Sequence, residues 1–164
     1  LVRPFVRDKD AIQSLVLLAE VAAYYRKQGK NLYDGLQELF EKYGYFAEKT
    51  TALTFDGVEG AQQIKNLMAK LRDEAPAEFA GVKVVCAEDF ATGKKSFADG
   101  KEEKMNLPSS NVLKYILEDG TWIAVRPSGT EPKIKFYIGT QGDSVENSKA
   151  NVAKFEKAIQ AYVD

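Results

Sequence analysis

Residues 111–140 read NVLKYILEDGTWIAVRPSGTEPKIKFYIGT. The last apolar run alternates, with Ile134, Phe136 and Ile138 on one side and Lys133, Lys135 and Tyr137 on the other. That period of two belongs to a strand with one buried face and one wet face. Between the two earlier apolar runs stands Asp119-Gly120, the two-residue signal of a hairpin with a type I′ turn, which needs positive φ at both central positions. The stretch therefore predicts three antiparallel strands in a meander.

Working outward, the sequence after the meander predicts a helix from near Asp143. Glu146 is placed for a capping box, and Val145, Val152, Phe155, Ile159 and Tyr162 form the buried stripe. Upstream, EKTTALTF (48–55) reads as a strand, Asp56 to Asp73 as a helix with Ile64, Leu67, Met68 and Leu71 on one face, and GVKVVCAEDF (81–90) as a second strand. Residues 92–110 carry glycines, charges and a proline without a period, and read as a long mobile connection. The order β-α-β, loop, β-β-β, α places two helices on an antiparallel sheet, an α+β layer arrangement.

The first 45 residues differ in texture. A helix is expected from Asp8 as N-cap to Gln28, and a second from the cap Asn31 through Leu32, Leu36, Leu39, Phe40 and Tyr43 to a stop at Gly44. SLVLLAEVAAYY (14–25) is apolar on more than one face, as in helices that neighbours cover broadly. Two explanations stand level on composition: the tail of a larger domain, or an arm through which copies of the chain associate. The expected division is 1–45 and 46–164.

Composition narrows the chemistry. Twenty-three basic against twenty-four acidic residues give a net charge of −1, which removes the general attraction to nucleic acid. The absence of histidine takes away the commonest general base and metal ligand. Cys86, the single cysteine, lies in an apolar run and reads as a small buried hydrophobe. No uninterrupted apolar stretch has the length of a membrane span, and LVRPFVRDKD lacks a signal-peptide layout, so a cytoplasmic protein is expected.

The second bend of the meander, between Arg126 and Pro132, holds more polar groups than bending requires. A guanidinium offers planar paired donors to a phosphate, Ser128 and Thr130 add hydroxyls, and Gly129 lets the backbone turn and approach closely. Lys133 and Lys135 would add positive field. Glu131 opposes an anion unless its carboxylate points away or meets a lysine or a sugar hydroxyl. The competing reading is a polar turn whose serine and threonine bond to local backbone; on the residues alone the two stand even.

RPSGTEPKIKFY (126–137) resembles the phosphate-binding loop in the last domain of the α-D-phosphohexomutases, the phosphoglucomutase and phosphomannomutase superfamily. The stretch 107–137 is similar to the phosphoglucomutase branch in particular, and residues 5–46 to the end of that family's third domain running into the fourth. The resemblance implies a fourth domain with a TATA-binding-protein-like α+β fold, preceded by two helices from the end of an α/β domain. It implies substrate-phosphate contacts at Arg126, Ser128, Gly129 and Thr130, with Lys133 and Glu131 as further candidates, and no catalytic or metal-ligating residue in this chain. The family interconverts hexose 1-phosphate and hexose 6-phosphate through a phosphoserine, Mg2+ and a hexose 1,6-bisphosphate; the Ser-His-Asn-Pro and Asp-Gly-Asp motifs that carry this are absent from the sequence. The expected partners are thus a hexose phosphate and the missing domains 1–3, and the chain alone is expected to be inactive. The alternative is a stand-alone anion- or RNA-binding module.

Overall fold

Asp10 starts the first helix of the computed structural model, which describes residues 8, 10–55 and 59–161. Its carboxylate accepts the amides of Ile12 (2.9 Å) and Gln13 (3.1 Å), so the cap is Asp10 and not the expected Asp8. Helix α1 (Ala11–Lys27) closes with the paired bonds Gly29 N–H to Arg26 C=O and Lys30 N–H to Tyr25 C=O, which satisfy its last carbonyls. In α2 (Leu32–Tyr43) a capping box joins Asn31 and Asp34 reciprocally, and Lys30 pairs with Glu38. No residue of α1 is buried, and Ile12, Leu15, Val16 and Leu18 stand exposed.

The chain divides into two compact units, 1–44 and 45–164. The second runs β1 (Tyr45–Thr54), α3 (Gly60–Asp73), β2 (Glu78–Phe79), β3 (Val82–Asp89), β4 (Lys94–Phe97), β5 (Glu102–Lys104), β6 (Leu113–Leu117), β7 (Trp122–Pro127), β8 (Lys133–Gly142) and α4 (Val145–Gln160). Asp56, expected to open α3, and Tyr162, expected in the last buried stripe, lie outside the described residues. The strands pair antiparallel in the order β1-β8-β7-β6-β3-β4-β5, with β2 against β3. The class is α+β, as the patterning implies.

One face of the sheet carries the core. Tyr115, Ile123, Val125, Ile134, Phe136 and Ile138 pack with Ile64, Met68 and Leu71 of α3 and with Phe155 and Ile159 of α4. The buried Tyr115 hydroxyl donates to the Leu71 carbonyl at 2.8 Å, so this aromatic ring is buried at no cost in lost hydrogen bonding. Helix α4 is tied to the strands below it: Thr140 Oγ1 donates to the Ser148 carbonyl (2.9 Å), and Glu156 takes Thr51 Oγ1 (2.9 Å) and Lys49 Nζ (3.4 Å).

Three local expectations are corrected. The Asp119-Gly120 bend is not type I′: Gly120 alone has positive φ (+82°), and the bonds Gly120 N–H to Leu117 C=O and Leu117 N–H to Thr121 C=O define a type I turn followed by a glycine bulge. Asp119 avoids the left-handed region because its carboxylate accepts the Thr121 amide (2.9 Å) from an ordinary conformation. Residues 92–110 hold a hairpin, β4 and β5, where a mobile connection was expected. Its strands are short and charged, with Lys95 bound to Glu88 (3.0 Å) and Lys101 to Glu103 (2.6 Å), so no apolar period marks them. Finally, α4 is capped by Ser144, whose hydroxyl accepts the Asn147 amide at 3.0 Å; Glu146 has no part in a capping box.

Candidate phosphate-binding loop

Strands β7 and β8 run to Pro127 and from Lys133, so the bend between them comprises Ser128–Pro132. The Ser128 amide donates to the Lys133 carbonyl and the Lys133 amide to the Glu131 carbonyl, both at 2.7 Å. From outside, the Phe55 amide at the end of β1 holds the Pro132 carbonyl at 2.9 Å. The base of the loop is therefore fixed by backbone bonds on both sides, while its tip is exposed at Gly129, Thr130 and Glu131.

Little of the loop's polar capacity is spent locally. Ser128 Oγ accepts the Thr130 amide only at 3.5 Å, and the Thr130 hydroxyl has no partner among the described residues. A turn that kept its hydroxyls for its own backbone would close these bonds near 3 Å. Glu131 is the exception: its carboxylate meets Lys133 Nζ at 3.2 Å, one of the arrangements in which a carboxylate tolerates an anion nearby. Lys133 is consequently committed.

Gly129 behaves differently from expectation. Its φ is not positive, and a Cβ built on it would meet nothing within 4 Å, so neither the bend nor any contact among the described residues demands a glycine. What the missing side chain provides is open approach to the backbone.

The cations divide by sheet face. Val125 faces the core at 1% exposure, and Arg126, the next residue, is exposed on the opposite face, as alternation along a strand requires. Its direct cross-strand neighbour is Lys135, also exposed. Among the described residues neither side chain has a hydrogen bond or ion pair. On the core side, Pro127–Pro132 form one wall of an open cavity of about 530 Å³, whose other wall is Ala61, Ile64, Lys65 and Met68 of α3 together with Asn111. The structure thus brings Ser128, Gly129, Thr130 and Glu131 together on this cavity, and places Arg126 outside its lining.

Lys65 and Asn111 escaped the sequence reading. Lys65 sits on a helix face adjacent to Ile64 and Met68, which read only as core, and Asn111 lay in what looked like the start of a strand. Asn111 Oδ1 accepts Arg72 Nη2 at 2.9 Å, and Arg72 Nε donates to Asp89 at 3.1 Å. At Asp89, burial raises the carboxyl pKa, but hydrogen bonds from the Thr92 hydroxyl, the Ala91 amide and Arg72 outweigh it and hold the group below the usual carboxylate range. Among the described residues no cluster of three or more His, Cys, Asp and Glu side chains is placed to hold a metal ion. No helix among them is long and apolar enough to cross a membrane.

Comparison with known proteins bears on this loop. Residues 61–157 match the family model of the phosphoglucomutase/phosphomannomutase C-terminal domain. A phosphoglucomutase of Staphylococcus haemolyticus is 41% identical over 152 residues, covering 92% of this chain and 28% of that protein. One from Staphylococcus epidermidis is 44% identical over 144 residues, covering 87% and 26% respectively. Among solved structures, the open form of pp63/parafusin, a phosphoglucomutase from Paramecium, superposes with a TM-score of 0.57 at 15% identity, over 97% of this chain and 28% of that one, a likeness of fold. The chain spans about a quarter of the length of these relatives. With the C-terminal domain matched over more than half its residues and relatives above 40% identity, the chain belongs to the phosphoglucomutase/phosphomannomutase family.

Proposed function

We propose that residues 46–164 are the substrate-phosphate-binding domain of a hexose-phosphate mutase, and residues 1–45 the closing helices of the domain before it. The parent enzyme would interconvert hexose 1-phosphate and hexose 6-phosphate by way of a phosphoserine, Mg2+ and a bisphosphate intermediate supplied by its other domains. The described residues offer no cluster fitted to magnesium, so no step is assigned to the metal in this chain. A cytoplasmic setting goes with this reading, supported by the buried, unpaired Cys86.

The observation that carries the proposal is unspent donor capacity at one end of the sheet: the Thr130 hydroxyl in the loop, and the Arg126 guanidinium and Lys135 ammonium on the strands that flank it, all lack partners among the described residues. Neutralising and positioning a phosphate asks for donors of this kind and for no proton transfer. Lys133 takes a different part, offsetting the charge of Glu131 beside the loop.

The test is a titration of the 15N-labelled chain with glucose 1-phosphate. Amide shifts at Ser128, Gly129 and Thr130, with weak affinity on the order of millimolar, and no turnover in a coupled assay are expected. Turnover by the chain alone, or loop resonances that ignore glucose 1-phosphate while single-stranded RNA binds with a steep salt dependence, would overturn the assignment.

A further inference from the structure

The two outer strands of the sheet are built differently. At one side β5 is three residues long and wholly charged, Glu102, Glu103 and Lys104, the usual protection against a further strand. At the other, β1 is ten residues long, carries no proline and keeps an unbroken register with β8. Which way its peptide groups point follows from its end. The Phe55 amide reaches the Pro132 carbonyl at 2.9 Å, so the odd-numbered residues bond to β8 and the even-numbered residues turn their N–H and C=O groups outward. Phe46, Glu48, Thr50, Ala52 and Thr54 are all exposed, Phe46 at 54%, and among the described residues no strand pairs with them from outside.

This pattern fits a second copy of the same strand. Even-numbered residues must meet even-numbered residues across the edge, so a two-fold axis has to lie level with a residue. At Thr50 it engages all of them: Thr50 meets its own copy, Glu48 meets Ala52 and Phe46 meets Thr54, giving about ten N–H to C=O bonds at two for each pair. No charge on the strand then faces a like charge. An axis at Lys49 would oppose two lysines, and one at Glu48 two glutamates. Lys49, next to the favoured axis, is already matched by Glu156 at 3.4 Å.

We infer that β1 is a self-association edge, through which two copies of the chain join antiparallel about an axis at Thr50 and continue the sheet from one to the other. The inference is independent of the phosphate-binding reading. Because the Phe55 amide ties the β7–β8 loop to the Thr54 end of β1, antiparallel joining sets the two loops at opposite ends of the seam.

Sedimentation and amide hydrogen exchange test this on the whole chain carrying Leu15→Glu and Leu18→Glu, which blunt the exposed apolar face of α1. A concentration-dependent dimer is expected. The amides of Glu48, Thr50 and Ala52 should exchange more slowly as it forms, while those of Lys49 and Thr51, already bonded to β8, change little. Thr50→Lys, at an exposed position, should raise the dimer Kd about fivefold by opposing two ammonium groups at the axis. Thr50→Pro should abolish the dimer and leave the monomer folded, because the amide it removes faces outward. A monomer at every concentration overturns the inference. So does a dimer that both Thr50 variants retain while Glu48, Thr50 and Ala52 still exchange fast. Protection of those amides only on adding a synthetic peptide of residues 45–54, with the chain still monomeric, also overturns it, since the edge then takes a strand without joining two copies.

Discussion

Arg126 and Lys135 face each other across β7 and β8 in direct register, two exposed cations without an ion pair among the described residues. Like charges opposed on a sheet are destabilising by roughly a few tenths of a kcal/mol, a cost the fold carries without local compensation. Substituting Arg126→Ala should therefore leave the thermal midpoint unchanged or slightly higher. Affinity for glucose 1-phosphate should fall by about one to two powers of ten, the worth of a charge-assisted hydrogen bond of about 1.5–3 kcal/mol. Calorimetric melting beside the ligand titration separates the two effects.

Gly129→Ala should likewise spare the fold, since the new methyl group meets no atom within 4 Å and the backbone φ suits alanine. Stability should change by less than about 0.5 kcal/mol. The phosphate-dependent shifts of the loop amides should shrink, because the methyl group stands in the path to the backbone.

Gly139 is a contrasting glycine. It lies opposite Trp122 in register, and a Cβ there would run into the indole ring. Gly139→Ala should cost about 1–3 kcal/mol through overpacking. Trp122 is the single tryptophan of the chain, so its fluorescence should report the displacement directly.

Asp89 supplies an acid-sensitive tie between α3 and the strands. Its folded pKa is depressed, so its contribution is complete above the unfolded value of roughly 3.9 and is lost as pH falls through the lower folded one. Acid denaturation should steepen below about pH 4, and Asp89→Asn should flatten that limb while lowering stability at neutral pH. A urea midpoint series from pH 2 to 7 checks both.

The first helix should make the chain sticky. Leu15 is 66% exposed and Val16 58%, with Ile12 and Leu18 beside them. An apolar surface of this kind favours association. Sedimentation should show concentration-dependent self-association that Leu15→Glu with Leu18→Glu reduces, and neither change should lower stability, since neither side chain is buried.

The meander and its flanking helices were legible because Ile134, Phe136 and Ile138, or Val152, Phe155 and Ile159, repeat at the spacing that their structure demands. The β4–β5 hairpin was not, because its strands are held by ion pairs, Lys94 with Glu102, Lys95 with Glu88 and Lys101 with Glu103, and bury too little to leave a period. The Asp119-Gly120 turn misled in detail because its signal serves two hairpin types that differ by one residue. The alternation that turns Arg126 away from the core side was readable from Val125 beside it. The approach of Lys65 and Asn111 was not, since it depends on a helix and a strand start packed at long range, which no local pattern records.

Strand β1 pairs along its whole length with β8, from Tyr45 opposite Gly142 to Thr54 opposite Lys133, and among the described residues has no strand on its other side. On a ribosome its ladder partner is still unmade when it emerges, so β1 must wait for some ninety further residues. The hairpins β3–β4 and β6–β7 can close meanwhile, and the loop after β7 reaches its final shape only when β1 comes back to lock β8.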